Sequence, residues 1–204
     1  MLRLTELQHD ALVEIFNMGV GRAAAAMSRI VNEEVTMSVP TITLQKRADA
    51  AQTLGSGEGR RICAITQHFK GAFNTEAFLM FPEEKSLEIV RLMVGQSLSL
   101  EELSAMEQEA MSEIGNIILN ACMATLANAA GKEMQGSLPT YHVGTGAAIL
   151  GTGSKDWEGM VLTLKIDFNI ERRHIYGYVA FLLDMPALHE LQHYVDAWLA
   201  RITG

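Results

Sequence analysis

Residues 5–17 read TELQHDALVEIFN and residues 104–116 read SAMEQEAMSEIGN, an offset of 99 throughout. Thr5 matches Ser104 and Gln8 matches Glu107. A hydroxyl residue followed three positions later by Gln or Glu is a capping box, so each segment is expected to open a helix there. Asp10 matches Glu109, Glu14 matches Glu113 and Asn17 matches Asn116. The register survives a further 23 residues, to Pro40 and Pro139, each followed by Thr within the strand-like VPTITL and LPTYHV. A period of this kind is the mark of an internally repeated architecture.

The later segments correspond as well. TEAFLMFP (75–82) resembles GYVAFLLDMP (177–186), each an apolar strand reaching a proline and followed by an amphipathic helix. Each half therefore reads helix, three strands, helix. Strands are expected at 35–45, 60–68, 76–81, 134–143, 160–168 and 176–183, and long helices at about 6–31 and 105–130. The fold class is α/β. The expectation is a single domain over 1–204 made of two repeats (about 1–100 and 101–204) with pseudo-two-fold symmetry. Short links favour hairpins, hence an antiparallel or mixed sheet packed against the two long helices. The glycine-rich pieces LGSGEGRR (54–61) and GTGAAILGTGSKDWEG (144–159) are expected to be hairpin loops.

Composition narrows the function classes. The 204 residues are 49% hydrophobic and 20% charged, with a formal net charge of -8. That is ordinary for a globular chain and argues against nucleic acid and against docking on anionic lipid. The N-terminus MLRLTELQHD carries charges and lacks an apolar targeting core. The longest uncharged stretch, Ile114 to Gly131, is interrupted by Asn116, Asn120 and Asn128, which suits a buried helix face and not a membrane span. Cys63 and Cys122 lie in apolar surroundings and suit reduced core thiols in a cytoplasmic protein.

Positions 10, 14 and 17 are i, i+4 and i+7, within about a 60° arc of a helix; 109, 113 and 116 repeat the pattern. Leu7, Ala11, Ile15 and Met18, and Met106, Ala110, Ile114 and Ile117, are assigned to a separate core stripe. The acidic and amide residues therefore face away from the core. Asn is a poor mid-helix residue, and Gly19, Gly21 and Gly115 beside it cost about 1 kcal/mol each relative to Ala. Close packing would explain such residues; their recurrence at a fixed distance from a proline favours function. Asn cannot exchange a proton near neutral pH, but it donates and accepts hydrogen bonds at once, which suits the positioning of a water. Glu can pair with a cation on a partner. The chemistry that fits is hydrolysis by orientation, for which phosphoryl transfer is the natural candidate.

Two other motifs are weaker. Gly146 and Gly151 have P-loop spacing, but Thr152 stands where Lys is required. His189-Glu190-Leu191-Gln192-His193 fits the HExxH zinc pattern, yet only 11 residues follow and Asp196 is the sole carboxylate side chain among them. His9, His68, His142 and His174 have no ligand spacing.

Asp10-x3-Glu14-x2-Asn17-x22-Pro40 resembles the signature of the CheC, CheX and FliY chemotaxis phosphatases, and Glu113, Asn116 and Pro139 reproduce it. Two copies in about 200 residues resemble CheC most closely, and the likeness covers essentially the whole chain. The resemblance implies a hydrolase that dephosphorylates the phosphorylated response regulator CheY in trans. It implies that Asn17 and Asn116 orient the attacking water and that Glu14 and Glu113 pair with a regulator Lys. Asp10, Glu109, Pro40 and Pro139 complete the motif. No cofactor is expected in this chain, since Mg²⁺ belongs to the regulator. CheD deamidase is a further expected partner, and a non-catalytic adaptor acting on CheD or near the flagellar switch is the alternative. Two departures stand out. Glu109 replaces the family's Asp or Ser, and Phe16 stands where Gly often precedes the Asn, its bulk expected to alter how closely a partner approaches the first site.

Overall fold

The structure, a computed structural model, describes residues 4–54, 61–94, 99–151, 159–170 and 173–203. Its first half runs α1 (Glu6–Val31), β1 (Val35–Met37), β2 (Thr41–Lys46), α2 (Arg47–Leu54), β3 (Ile62–Gly71), β4 (Thr75–Pro82) and α3 (Glu83–Val94). The second repeats that order as α4 (Leu100–Ala130), β5 (Met134–Gly136), β6 (Thr140–Gly144), α5 (Gly146–Ile149), β7 (Met160–Ile170), β8 (Arg173–Leu183) and α6 (Met185–Thr203).

Both long helices open on capping boxes. Thr5 Oγ1 accepts from Gln8 N at 3.1 Å while Gln8 Oε1 accepts from Thr5 N at 3.0 Å. In α4 the box is not the expected Ser104/Glu107 pair. Ser99 caps the helix, its hydroxyl oxygen accepting from Glu102 N at 3.3 Å and its own N–H donating to Glu102 at 2.8 Å. SLEE satisfies the same S-x-x-E rule five residues earlier, and Leu103, fully buried, anchors the added turn. Two further expectations change. The strands expected at 35–45 and 134–143 each break in two, because Pro40 and Pro139 cannot donate to a ladder. The glycine-rich pieces do not join hairpins; α2 precedes one and α5 begins the other. Their residues 55–60 and 152–158, with Thr152 among them, lie outside the described residues, as does the side chain of His174.

Every strand pairing is antiparallel, in the order β1-β7-β8-β4-β3-β5, with β2 also on β7 and β6 also on β3. The hairpins β3–β4 and β7–β8 meet along β4–β8 at the centre. Each half then lends its two short strands to the other half: Thr41 faces Lys165 on β7, and Thr140 faces Thr66 on β3. The two sheet faces follow the period of two. Cys63, Ile65, Leu79, Phe81, Leu162, Leu164, Val179 and Phe181 join the core beneath α1, α3, α4 and α6. Ile62, Ala64, Phe78, Met80, Val161 and Ala180 face the smaller cluster closed by Ala50 and Leu54 of α2 and by Leu150.

Helix α4 is long and apolar enough to cross a membrane, yet its most apolar window is 61% buried inside the protein, so that apolarity serves the core. Glycine explains the close approach of α1 to α4. A Cβ on Gly19 would lie 3.0 Å from the Cα of Cys122.

Candidate functional site

The Glu/Asn row emerges on the outer flank of each long helix, but the stripe beside it differs from the expected one. In α1 the buried positions include Gln8, Ala11, Leu12, Ile15, Phe16, Gly19 and Val20. In α4 they include Ala110, Met111, Ile114, Gly115, Ile118 and Leu119. Leu7, Met18 and Met106, assigned to the core from periodicity, are exposed, because the buried arc is rotated by one position toward Leu12 and Met111. Asp10, Glu14, Glu109 and Glu113 are exposed, and Asn17 and Asn116 half-buried at the margin of the packed face. Among the described residues Glu14, Glu109 and Glu113 have no ion-pair partner. Asp10 lies 3.6 Å from His9 Nδ1.

Phe16 corrects another expectation. Its side chain is fully buried and stacks on Phe181 at 5.3 Å, so its bulk never reaches the surface on which Asn17 stands. At the equivalent place in α4, Gly115 lets the helix settle directly on Ile65 of β3.

The prolines belong to loops tied down on both sides of the repeat. Ser38 N donates to Asp167 O at 2.9 Å, and Asp167 N donates to Ser38 Oγ at 3.0 Å. Ser137 N donates to His68 O at 2.8 Å, and His68 N donates to Ser137 Oγ at 3.0 Å. These serines were missed from sequence, although S-V-P and S-L-P recur at the same offset of 99. The clamp leaves Val39 60% and Leu138 87% exposed, one residue ahead of each proline.

The second site carries a side-chain network around Asn116, which nothing in the repeat announced. Gln67, a buried polar residue of β3, donates through Nε2 to Ser137 O at 2.9 Å and to Asn116 Oδ1 at 3.2 Å. Asn120 Nδ2 donates to the same Oδ1 at 2.8 Å and to Asn116 O at 2.6 Å. Tyr141 of β6 donates to Glu107 at 2.8 Å, tying α4 to the sheet. Burial, together with Cys63 and Glu107, pushes the Tyr141 phenol well above its usual range. Asn17 has no comparable side-chain hydrogen bond among the described residues.

Among the described residues no group of three or more His, Cys, Asp or Glu side chains is placed to hold a metal ion. His189 and His193 are exposed on α6, while Asp196 accepts from Gln8 Nε2 at 2.8 Å and so links α6 to α1. A cleft of about 1100 Å³ lies beside Asp10 and is lined by Glu6, His9, Lys46, Asp49 and Met160 among others.

Comparison with known proteins points one way. The family model described as chemotaxis phosphatase CheX matches residues 62–162, and the CheC-like family model matches residues 7–44. CheY-P phosphatase CheC of Bacillus subtilis (strain 168) is 25% identical over 153 residues, covering 74% of this chain and 73% of that protein. The crystal structure of Thermotoga maritima FliY superimposes with a TM-score of 0.77 at 17% identity, over 97% of this chain and 100% of that one. A chain of the crystal structure of the CheX-CheY-BeF3-Mg+2 complex from Borrelia burgdorferi aligns with a TM-score of 0.53 at 18% identity, over 85% of this chain and 98% of that one.

Proposed function

Since the chain belongs to the CheC/CheX/FliY family of chemotaxis phosphatases, we propose that it hydrolyses the aspartyl phosphate of a phosphorylated CheY-type receiver in trans, through Asn17 and Asn116. The observation that carries this reading is the duplicated outward row. On both long helices an exposed Glu, with no ion pair among the described residues, stands one turn before a half-buried Asn. An unpaired exposed carboxylate can meet a cation on a docking protein without first breaking an internal contact. At the second site the half-buried amide is held by Gln67 and Asn120, so its orientation is restricted before any partner arrives.

In this reading Glu14 and Glu113 pair with a Lys of the receiver, and each Asn enters the receiver's active site. The receiver brings the Mg²⁺ that neutralises the phosphoryl oxygens. The Asn amide hydrogen-bonds a water in line with the phosphorus. Attack by that water breaks the bond between phosphorus and the aspartyl oxygen. The products are inorganic phosphate, which takes the water's oxygen and one of its protons, and the free carboxylate, with the second proton released to solvent. No covalent bond to this chain forms; the contribution is placement and charge, which suits phosphoryl transfer. A cytoplasmic location follows from that substrate.

The test is phosphate release from a Mg²⁺-loaded phosphorylated CheY-type receiver. The wild type should accelerate it, and Asn17→Ala/Asn116→Ala should lose about 10²-fold or more with an unchanged circular dichroism spectrum. A folded double variant of undiminished activity would refute the role of the two amides. If the receiver binds and neither protein accelerates release, the chain is an adaptor.

A further inference from the structure

We propose that Gln67 and Asn120 are positioning residues of the second site, which fix Asn116 with its amide –NH2 turned outward, and that the first site has no such clamp. This deepens the phosphatase reading and rests on it. The orientation follows from which atoms can only accept. Ser137 O and Asn116 O are backbone carbonyls. The groups that meet them at 2.9 Å and 2.6 Å must therefore be the nitrogens of Gln67 and Asn120. The remaining hydrogens of those two amides meet one atom, Asn116 Oδ1, at 3.2 Å and 2.8 Å. Both lone pairs of that oxygen are then engaged, so the donors on Asn116 Nδ2 are what a docking molecule meets. A water held by such a donor keeps its other lone pair for an electrophile.

The sheet register shows what the first site has instead. Met37 pairs with Phe168 as Gly136 pairs with Phe69, so Ile166 is the counterpart of Gln67. Ile166 is fully buried and offers no donor. Asn120 has Gly21 as its counterpart, which has no side chain. Both members of the clamp are thus missing at once, and Asn17 keeps the rotational freedom that Asn116 has lost. A side chain already held in its working orientation gives up less freedom on reaching the transition state, where the water must be aligned.

The experiment has two readouts. Side-chain amide ¹⁵N relaxation in the wild type should show Asn116 ordered and Asn17 mobile, and Gln67→Met should release Asn116. In an Asn17→Ala background, where only the second site acts, Gln67→Met should lower kcat on the phosphorylated receiver about tenfold, the scale of one lost hydrogen bond. KM should stay within about twofold, because Gln67 is buried and does not touch the receiver. Asn120→Ala should do the same, and it serves if Gln67→Met fails to fold. Equal mobility of the two amides in the wild type would overturn the proposal, as would an unchanged kcat in both folded variants. If Asn116 is ordered and released as expected while neither the wild type nor the Asn17→Ala parent accelerates loss of the receiver's phosphate, the phosphatase reading falls and the catalytic purpose of the clamp falls with it, but the clamp stands.

Discussion

A Cβ added at Gly115 would lie 2.3 Å from Cγ2 of Ile65, so the α4 backbone rests directly on the Ile65 side chain of β3 one residue before Asn116. Gly21, by contrast, has nothing within 4 Å of the place a Cβ would occupy. Both glycines are helical, and both carry the entropic cost of glycine in a helix. Gly115→Ala should therefore destabilise by about 1–3 kcal/mol through overpacking and should reduce turnover by displacing Asn116. Gly21→Ala should stabilise by about 0.5–1 kcal/mol. Urea unfolding of the two variants measures both signs, and a stabilised Gly115→Ala would mean that Ile65 yields easily.

The exchange of strands between halves makes the repeats interdependent. β2 pairs with β7 and β6 with β3, so a fragment of either half alone would expose an unpaired strand edge and half of the larger core. Fragments 1–98 and 99–204 should each lack cooperative unfolding by circular dichroism, and mixing them should restore it. A cooperatively folded single fragment would show that the cross-half pairing is dispensable.

The two thiols set an alkaline limit on stability. Burial pushes Cys63 up to about 12, with Tyr141, Glu107 and Glu83 as smaller influences, and burial alone pushes Cys122 up to about 12. Since the folded values exceed the unfolded ones, the stability linked to each thiol is fully present below the unfolded value near 9. It is lost as pH rises from about 9 to about 12, at about 1.4 kcal/mol per pH unit per thiol. Below pH 8 neither thiol should react with a thiol-specific reagent until denaturant is added. Rapid labelling of the native protein at pH 7 would contradict the burial of both.

Much of the architecture could be read from the repeat, because helix caps, periodicity and prolines are local signals. The Thr5/Gln8 box opens α1 as read. Ser104/Glu107 misled, because a second box at Ser99/Glu102 lay five residues upstream and Leu103 favoured the longer helix. The placement of Leu7, Met18 and Met106 failed for a geometric reason: a stripe of period 3.6 fits two adjacent arcs when small residues such as Ala11 and Ala110 belong to both, and only packing decides. Pairing across the halves was not legible, since short links favour hairpins and nothing local names a distant partner. At the site, repetition exposed the Glu/Asn rows and hid the rest. Gln67 and Asn120 escaped because their counterparts, Ile166 and Gly21, do not resemble them.

Charge reversal tests the partner side of the proposal. Glu14 and Glu113 are exposed, and among the described residues neither has an ion pair to lose. Replacing them with Lys should leave stability within about 0.5 kcal/mol, as for surface positions generally. If each carboxylate meets a receiver Lys, Glu14→Lys/Glu113→Lys replaces attraction by repulsion at both sites. KM for the phosphorylated receiver should then rise about tenfold or more at low salt, and the penalty should shrink as added salt screens the charges. The single variants assign the effect to a site, and silencing the opposite Asn in each keeps the other site from masking it. An unchanged KM at low ionic strength in the folded double variant would remove the two carboxylates from the docking surface and leave the amides to act without them.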